Sequence, residues 1–155
     1  MRCWAVVLVT GAFALAACGS NSPVPCSPGA CATVAGDYTQ SMIANHKDCG
    51  GGHSLDVSAE TFHSHLVQTD AQLQLQTSSF VGNMNGTLHA DGSAEFGPAP
   101  AVAVDESGGG GDEPGKLYLS GWFASDNLNL APFEGTYVFI ADDTGCEIDS
   151  RVTWR

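Results

Sequence analysis

The chain has 155 residues, 43% of them hydrophobic, and 17 Asp and Glu against 5 Lys and Arg, for a formal net charge of −12 at pH 7. The acids are spread along the chain, and a surface of that sign repels nucleic-acid phosphates and anionic lipid head groups, so the composition argues against DNA and RNA partners. The length suits one domain with a real hydrophobic core plus a tether.

Arg2 is a minimal positive start, and Trp4 to Ala17 is an almost uninterrupted apolar run with a break at Gly11. Residues 1–17 therefore read as an export signal; a run of about 14 residues is too short for a bilayer span, which needs roughly 20. The run ends in Leu15-Ala16-Ala17-Cys18, followed by Gly19 and Ser20. This ending resembles the lipobox of bacterial lipoproteins. The resemblance implies cleavage before Cys18 by signal peptidase II, after a diacylglyceryl group has joined its sulfur, and acylation of the new amino group. Two or three acyl chains hold firmly where one is marginal, at about 0.8 kcal/mol per buried methylene. The expectation is a mature chain anchored to a membrane without spanning it. By resemblance to enterobacterial sorting, Gly19 and Ser20 imply the outer membrane, on its periplasmic face or at the cell surface. The alternative is ordinary secretory cleavage after Ala17, leaving Cys18 a thiol.

Cys3 leaves with the signal and Cys18 carries lipid, so Cys26, Cys31, Cys49 and Cys146 remain. An even number in an oxidising compartment predicts two disulfides. Three pairings exist; the favoured one is Cys26–Cys31, a local staple, with Cys49–Cys146. No pair has the two-residue spacing of a zinc ribbon.

Residues 18–31, with Pro23, Pro25 and Pro28, read as a lipidated Cys and a Pro/Ser-rich spacer that lifts the domain off the membrane. The domain is expected over 32–155. Asp37 to Asn45 is a first strand, His46 to His53 a Gly-rich loop, and Thr61 to Gln68 a second strand turning at Thr69-Asp70-Ala71. Gln72 to Thr77 alternates, with Leu73 and Leu75 inward and its glutamines outward. Phe80 to His89 is strand-like, Ala90-Asp91-Gly92 is a tight turn, and Ser93 to Phe96 completes a hairpin that Pro98 and Pro100 break. Asp105 to Gly115 reads as a solvated, mobile loop rather than a calcium site. Lys116 to Ala124 is a strand with Leu117, Leu119 and Phe123 on one face and Tyr118 and Trp122 on the other. Phe133 to Ala141 is apolar on both faces, and Cys146 to Trp154 alternates most clearly of all.

About eight short strands joined mostly by tight turns predict an all-β fold: a small antiparallel up-and-down β-barrel, with a β-sandwich as the alternative. A Cys49–Cys146 bond would bring the first and last strands together and pin the seam of a closed barrel, which removes exposed edges. Gly36-Asp37-Tyr38 resembles the Gly-x-Trp opening of lipocalin-like and avidin-like barrels, with Tyr in place of Trp. Gly121-Trp122, Gly135-Thr136-Tyr137 and the terminal Trp154 are similar in plan to those barrels over about residues 36 to 155. The resemblance implies the lipocalin-like barrel and carries over no binding residue.

His63 and His65 stand two apart on one strand, about 7 Å from each other on a shared face, a spacing that can supply two metal ligands. By composition, His53 or His89 would be the third. The plainer and preferred reading turns Phe62, Ser64 and Leu66 to the core and both histidines to water. No catalytic signature is present: no Gly-x-Ser-x-Gly elbow, no His-Glu-x-x-His, no phosphate-binding or dinucleotide glycine loop. The expectation is a non-catalytic, cofactor-free envelope lipoprotein. Its partners are the membrane, through the lipid anchor, and a small apolar ligand in the barrel, with Tyr118, Trp122, Tyr137 and Trp154 as candidate lining. The alternatives are a structural or protein-interaction lipoprotein with a filled core and, behind it, a hydrolase or enzyme inhibitor.

Overall fold

In the computed structural model of the chain, the described residues are 22–51, 53–79, 81–103, 113–124 and 132–155. They form ten strands: β1 (Gly36–Met42), β2 (Asn45–Gly50), β3 (His53–Val57), β4 (Glu60–Thr69), β5 (Gln72–Thr77), β6 (Met84–Leu88), β7 (Ser93–Ala103), β8 (Glu113–Phe123), β9 (Phe133–Ala141) and β10 (Glu147–Trp154). Eight of them close an antiparallel barrel in the order β1, β10, β9, β8, β7, β6, β5, β4, while β2 and β3 pair only with each other. The up-and-down barrel expected from the sequence is the fold, and the sandwich alternative falls away.

Strict alternation builds the wall. In β5, Leu73 and Leu75 are buried and Gln72, Gln74 and Gln76 exposed; in β4, Phe62, Ser64 and Leu66 are buried and His63 and His65 exposed. A period of two puts every second side chain on one face, so an apolar-polar repeat makes an apolar interior and a wet exterior. The strand β9, apolar in both phases, keeps Tyr137 and Phe139 inside, while Val138 and Ile140 are half-covered outside. Their cross-strand neighbours on β8 are Tyr118 and Lys116, whose ring and aliphatic stem can shelter them.

The barrel has two unlike ends. At the closed end Trp154, fully buried, is packed by Phe133 at 4.3 Å between ring centroids, Tyr38 at 5.4 Å, and Phe96 and Phe123 at 5.9 Å. Phe133 reaches this position because Gly121 and Gly135 lack side chains: a Cβ on either would come within 2.6 Å of its ring. The turn between β6 and β7 lies at the same end. Gly92 there has φ +85°, and Asp91 accepts hydrogen bonds from the hydroxyl and the amide of Ser93. Those two bonds hold the Asp91 carboxyl below its ordinary pKa, the hydroxyl having the larger effect.

The N-terminal segment covers the closed end. Pro25 bridges His89, the amide of Cys26 donates to the Leu88 carbonyl, and that of Ala90 to Val24. Further on, the Val34 amide donates to Gln68 Oε1 at 2.8 Å, and the Tyr38 hydroxyl donates to the Val34 carbonyl at 2.6 Å. Cys26 and Val34 are buried. The spacer expectation therefore needs correcting from Val24 onward: these residues are part of the folded unit, because their backbone groups find partners on the barrel and the Cys26–Cys31 bond folds them over it.

Other expectations shift as well. The first strand ends at Met42, and the Gly-rich stretch after it is the β2–β3 hairpin rather than a loop. Strand β7 runs through Pro98 and Pro100, passing a bulge between Phe96 and Ala99. Its β6 partner pairs only as far as Phe96, so the prolines fall where one side of β7 has no ladder to lose. Strand β6 begins at Met84, not Phe80, and Phe80 is outside the described residues. Of the predicted acidic loop, 105–112 also lies outside them, while Glu113 to Gly115 open β8.

Candidate functional site

Both predicted disulfides are present, Cys26–Cys31 with its Cα atoms 5.2 Å apart and Cys49–Cys146 at 5.8 Å. The second does not lie on the seam itself. The seam is β1 against β10, with Gln40 opposite Trp154 and Met42 opposite Val152. Cys49 belongs to β2, so the bond ties the hairpin to the residue before β10. Asn45 reinforces this with its side-chain amide on the Asp149 carbonyl at 2.5 Å. The hairpin thereby stands over the open end of the barrel, with Leu55 buried beneath it.

Across the middle of the barrel runs a polar belt. The Tyr137 hydroxyl donates to Gln40 Oε1 at 2.8 Å, and Gln40 Nε2 donates to Ser64 Oγ at 2.8 Å. All three residues are buried. Burial drives both interior phenols upward in pKa, Tyr38 to about 12 and Tyr137 further.

Beyond the belt, toward the open end, the described residues leave a hollow. A cavity of about 380 Å³ opens there between Met42, Leu117, Tyr137, Phe139 and Ile148, with Val57 of the hairpin above and Ala101 and Ala103 of β7 beside it. Its volume is within the range of small-molecule sites. Asp56 and Glu60 stand among its lining residues, as does Ser150, whose hydroxyl donates to the Ile43 carbonyl.

The four aromatic candidates separate by strand parity. Tyr137 lines the cavity; Trp154 points inward but fills the closed end. Tyr118 and Trp122 do not line it, because they occupy the phase of β8 opposite Leu117, Leu119 and Phe123; Trp122 is 59% exposed on the outer wall. Sequence reasoning missed Met42, Ala101, Ala103 and Val57 as lining, and Gln40 as the centre of the belt. Parity was the available signal for Gln40, which sits two residues from both Tyr38 and Met42.

His63 and His65 are exposed on the outer wall. His65 Nδ1 faces Asp37 Oδ1 at 2.7 Å, and His63 Nδ1 faces Thr39 Oγ1 at 3.4 Å. A wide groove runs over them, but it is open to solvent along its length. His89 lies at the closed end, under Pro25, and the side chain of His53 is outside the described residues. Among the described residues no three His, Cys, Asp or Glu side chains are grouped to hold a metal ion. Nor does a described Ser hydroxyl hydrogen-bond to the ring of His65 or of His46, each of which has a carboxylate partner. No protein-family model, no curated protein and no solved structure matches the chain.

Proposed function

We propose that this protein is a lipid-anchored bacterial cell-envelope lipoprotein that binds a small apolar ligand, without catalysis, in the open end of a lipocalin-like barrel. The observation that carries the binding half is the cavity of about 380 Å³ between Met42, Leu117, Tyr137, Phe139 and Ile148. A core that fills one end of a barrel with five interlocked aromatics and leaves the other end hollow is costly unless something occupies the hollow, since unfilled apolar volume forfeits packing contacts. The anchoring half rests on Leu15-Ala16-Ala17-Cys18. Outer-membrane placement follows from Gly19 and Ser20 by the same resemblance.

Native mass spectrometry of the protein, paired with Ala101→Phe, tests the binding. An extra mass that leaves on denaturation, and is missing from the folded variant, supports the reading. An extra mass retained by the variant places the ligand elsewhere and counts against it.

A second reading, docking to an envelope protein, is favoured by one observation: Trp122 presents an indole to solvent on the outer wall. Large exposed aromatics are typical anchors of protein interfaces. Under that reading Trp122→Ala abolishes partner capture and leaves cavity binding intact.

A further inference from the structure

We infer that the cavity selects amphiphiles with a cationic head: an alkyl or aromatic body ending in an amine or quaternary ammonium. This rests on the apolar-ligand reading of the same cavity and adds the charge of the ligand to it. The walls are aliphatic and aromatic, and the charged side chains among its described lining residues are two carboxylates, Asp56 and Glu60. Lys47 on β2, Lys116 on β8 and Arg151 on β10 do not line it.

Both carboxylates are positioned by partners that leave them room for a ligand. Asp56 Oδ1 faces His46 Nδ1 at 2.7 Å, and Glu60 Oε2 accepts from Ser79 Oγ at 3.4 Å. The second oxygen of each has no hydrogen-bond partner among the described residues. The register fixes where they stand: Glu60 opens β4 opposite Met42, and Asp56 is on β3 next to Val57. Both residues border the open end of the apolar cavity, so a ligand with its body inside brings its head near them. The Asp56 side chain is 33% exposed, so the pair sits half out of water, where opposite charges attract more strongly than in bulk solvent. An anionic head would meet two like charges there, and a neutral head would gain at most a hydrogen bond, without the charge attraction. At roughly 30 Å³ per water-sized unit, the hollow admits a body on the order of a dozen non-hydrogen atoms.

The test is isothermal titration of the full-length chain carrying Cys18→Ser with decyltrimethylammonium, decanol and decyl sulfate. All three are used below their micelle concentrations and at mildly alkaline pH, where histidine is ordinarily neutral. The expected order is ammonium tightest, then decanol, then sulfate, with the ammonium about tenfold ahead of decanol for two half-exposed carboxylates. Asp56→Asn with Glu60→Gln should erase that advantage, so that the ammonium and decanol bind the variant equally. Ala101→Phe should remove binding of all three. Decanol and ammonium binding equally, or sulfate binding best, overturns the charge inference and leaves the apolar-ligand reading standing. Ammonium binding that survives Ala101→Phe is adsorption to an acidic surface and also overturns it. No binding by any probe removes both.

Discussion

Gln40 is a polar side chain on an inward position of β1, and its two hydrogen bonds, from Tyr137 and to Ser64, are what make that position tolerable. Buried amides without partners cost far more than paired ones gain. Tyr137→Phe leaves Gln40 Oε1 unpaired, so it should lower stability by about 1–3 kcal/mol in denaturant unfolding. The buried phenols also set an alkaline limit. A tyrosine whose folded pKa lies above its unfolded value stabilises fully below the unfolded value and loses that contribution as the pH rises through the folded one. For Tyr38 the window runs from 10.0 to about 12, and Tyr137 adds to the loss in the same direction. Stability should therefore fall as the pH passes 10.0, with these two phenolates appearing late or together with unfolding. Phenolate absorbance recorded alongside circular dichroism checks this. The aromatic candidates teach a lesson at the same scale. Tyr118 and Trp122 were already on the face opposite Leu117 and Leu119 by sequence parity, so a lining set that mixed them with Tyr137 asked one barrel wall to face both ways.

Among the elements, those with one wet and one dry face were legible: β4, β5 and β10 follow their alternation residue for residue. The β2–β3 hairpin was not, because Asn45 to Asp48 are exposed in both phases and carry no core signal. Nor was the continuation of β7, where the prolines signal a stop that one-sided pairing overrides. The cavity was hidden with them, since Val57, Ala101 and Ala103 lie on these two elements. The hairpin is fastened to the barrel by the Cys49–Cys146 bond, which spans a sequence separation of 97. A loop of that order is worth up to about 4.7 kcal/mol by the chain-entropy relation. Replacing both cysteines with serine should cost a large part of that in unfolding free energy. It should also raise hydrogen exchange in β2 and β3 before the barrel itself opens, measured by exchange mass spectrometry.

For the molecule as a whole, the proposed lipid anchor makes a prediction of its own. Cys18→Ala should turn a membrane-bound protein into a soluble periplasmic one, read by fractionation; retention with the membranes would sink the anchor. The docked N-terminal segment carries a further consequence. The chain is already held on the barrel at Val24, so five residues, Gly19 to Pro23, separate it from Cys18. At no more than 3.3–3.6 Å each they reach under about 20 Å, less than the thickness of the bilayer's hydrocarbon core. The leash is attached at the end that is plugged with aromatics, opposite the hollow. With lipid on Cys18, as proposed, the protein would stand as a cup on a short stem, base toward the lipid and rim toward the aqueous side. Under the proposed anchor and ligand, the cup would be filled from the water or by another protein rather than directly from the membrane beneath it.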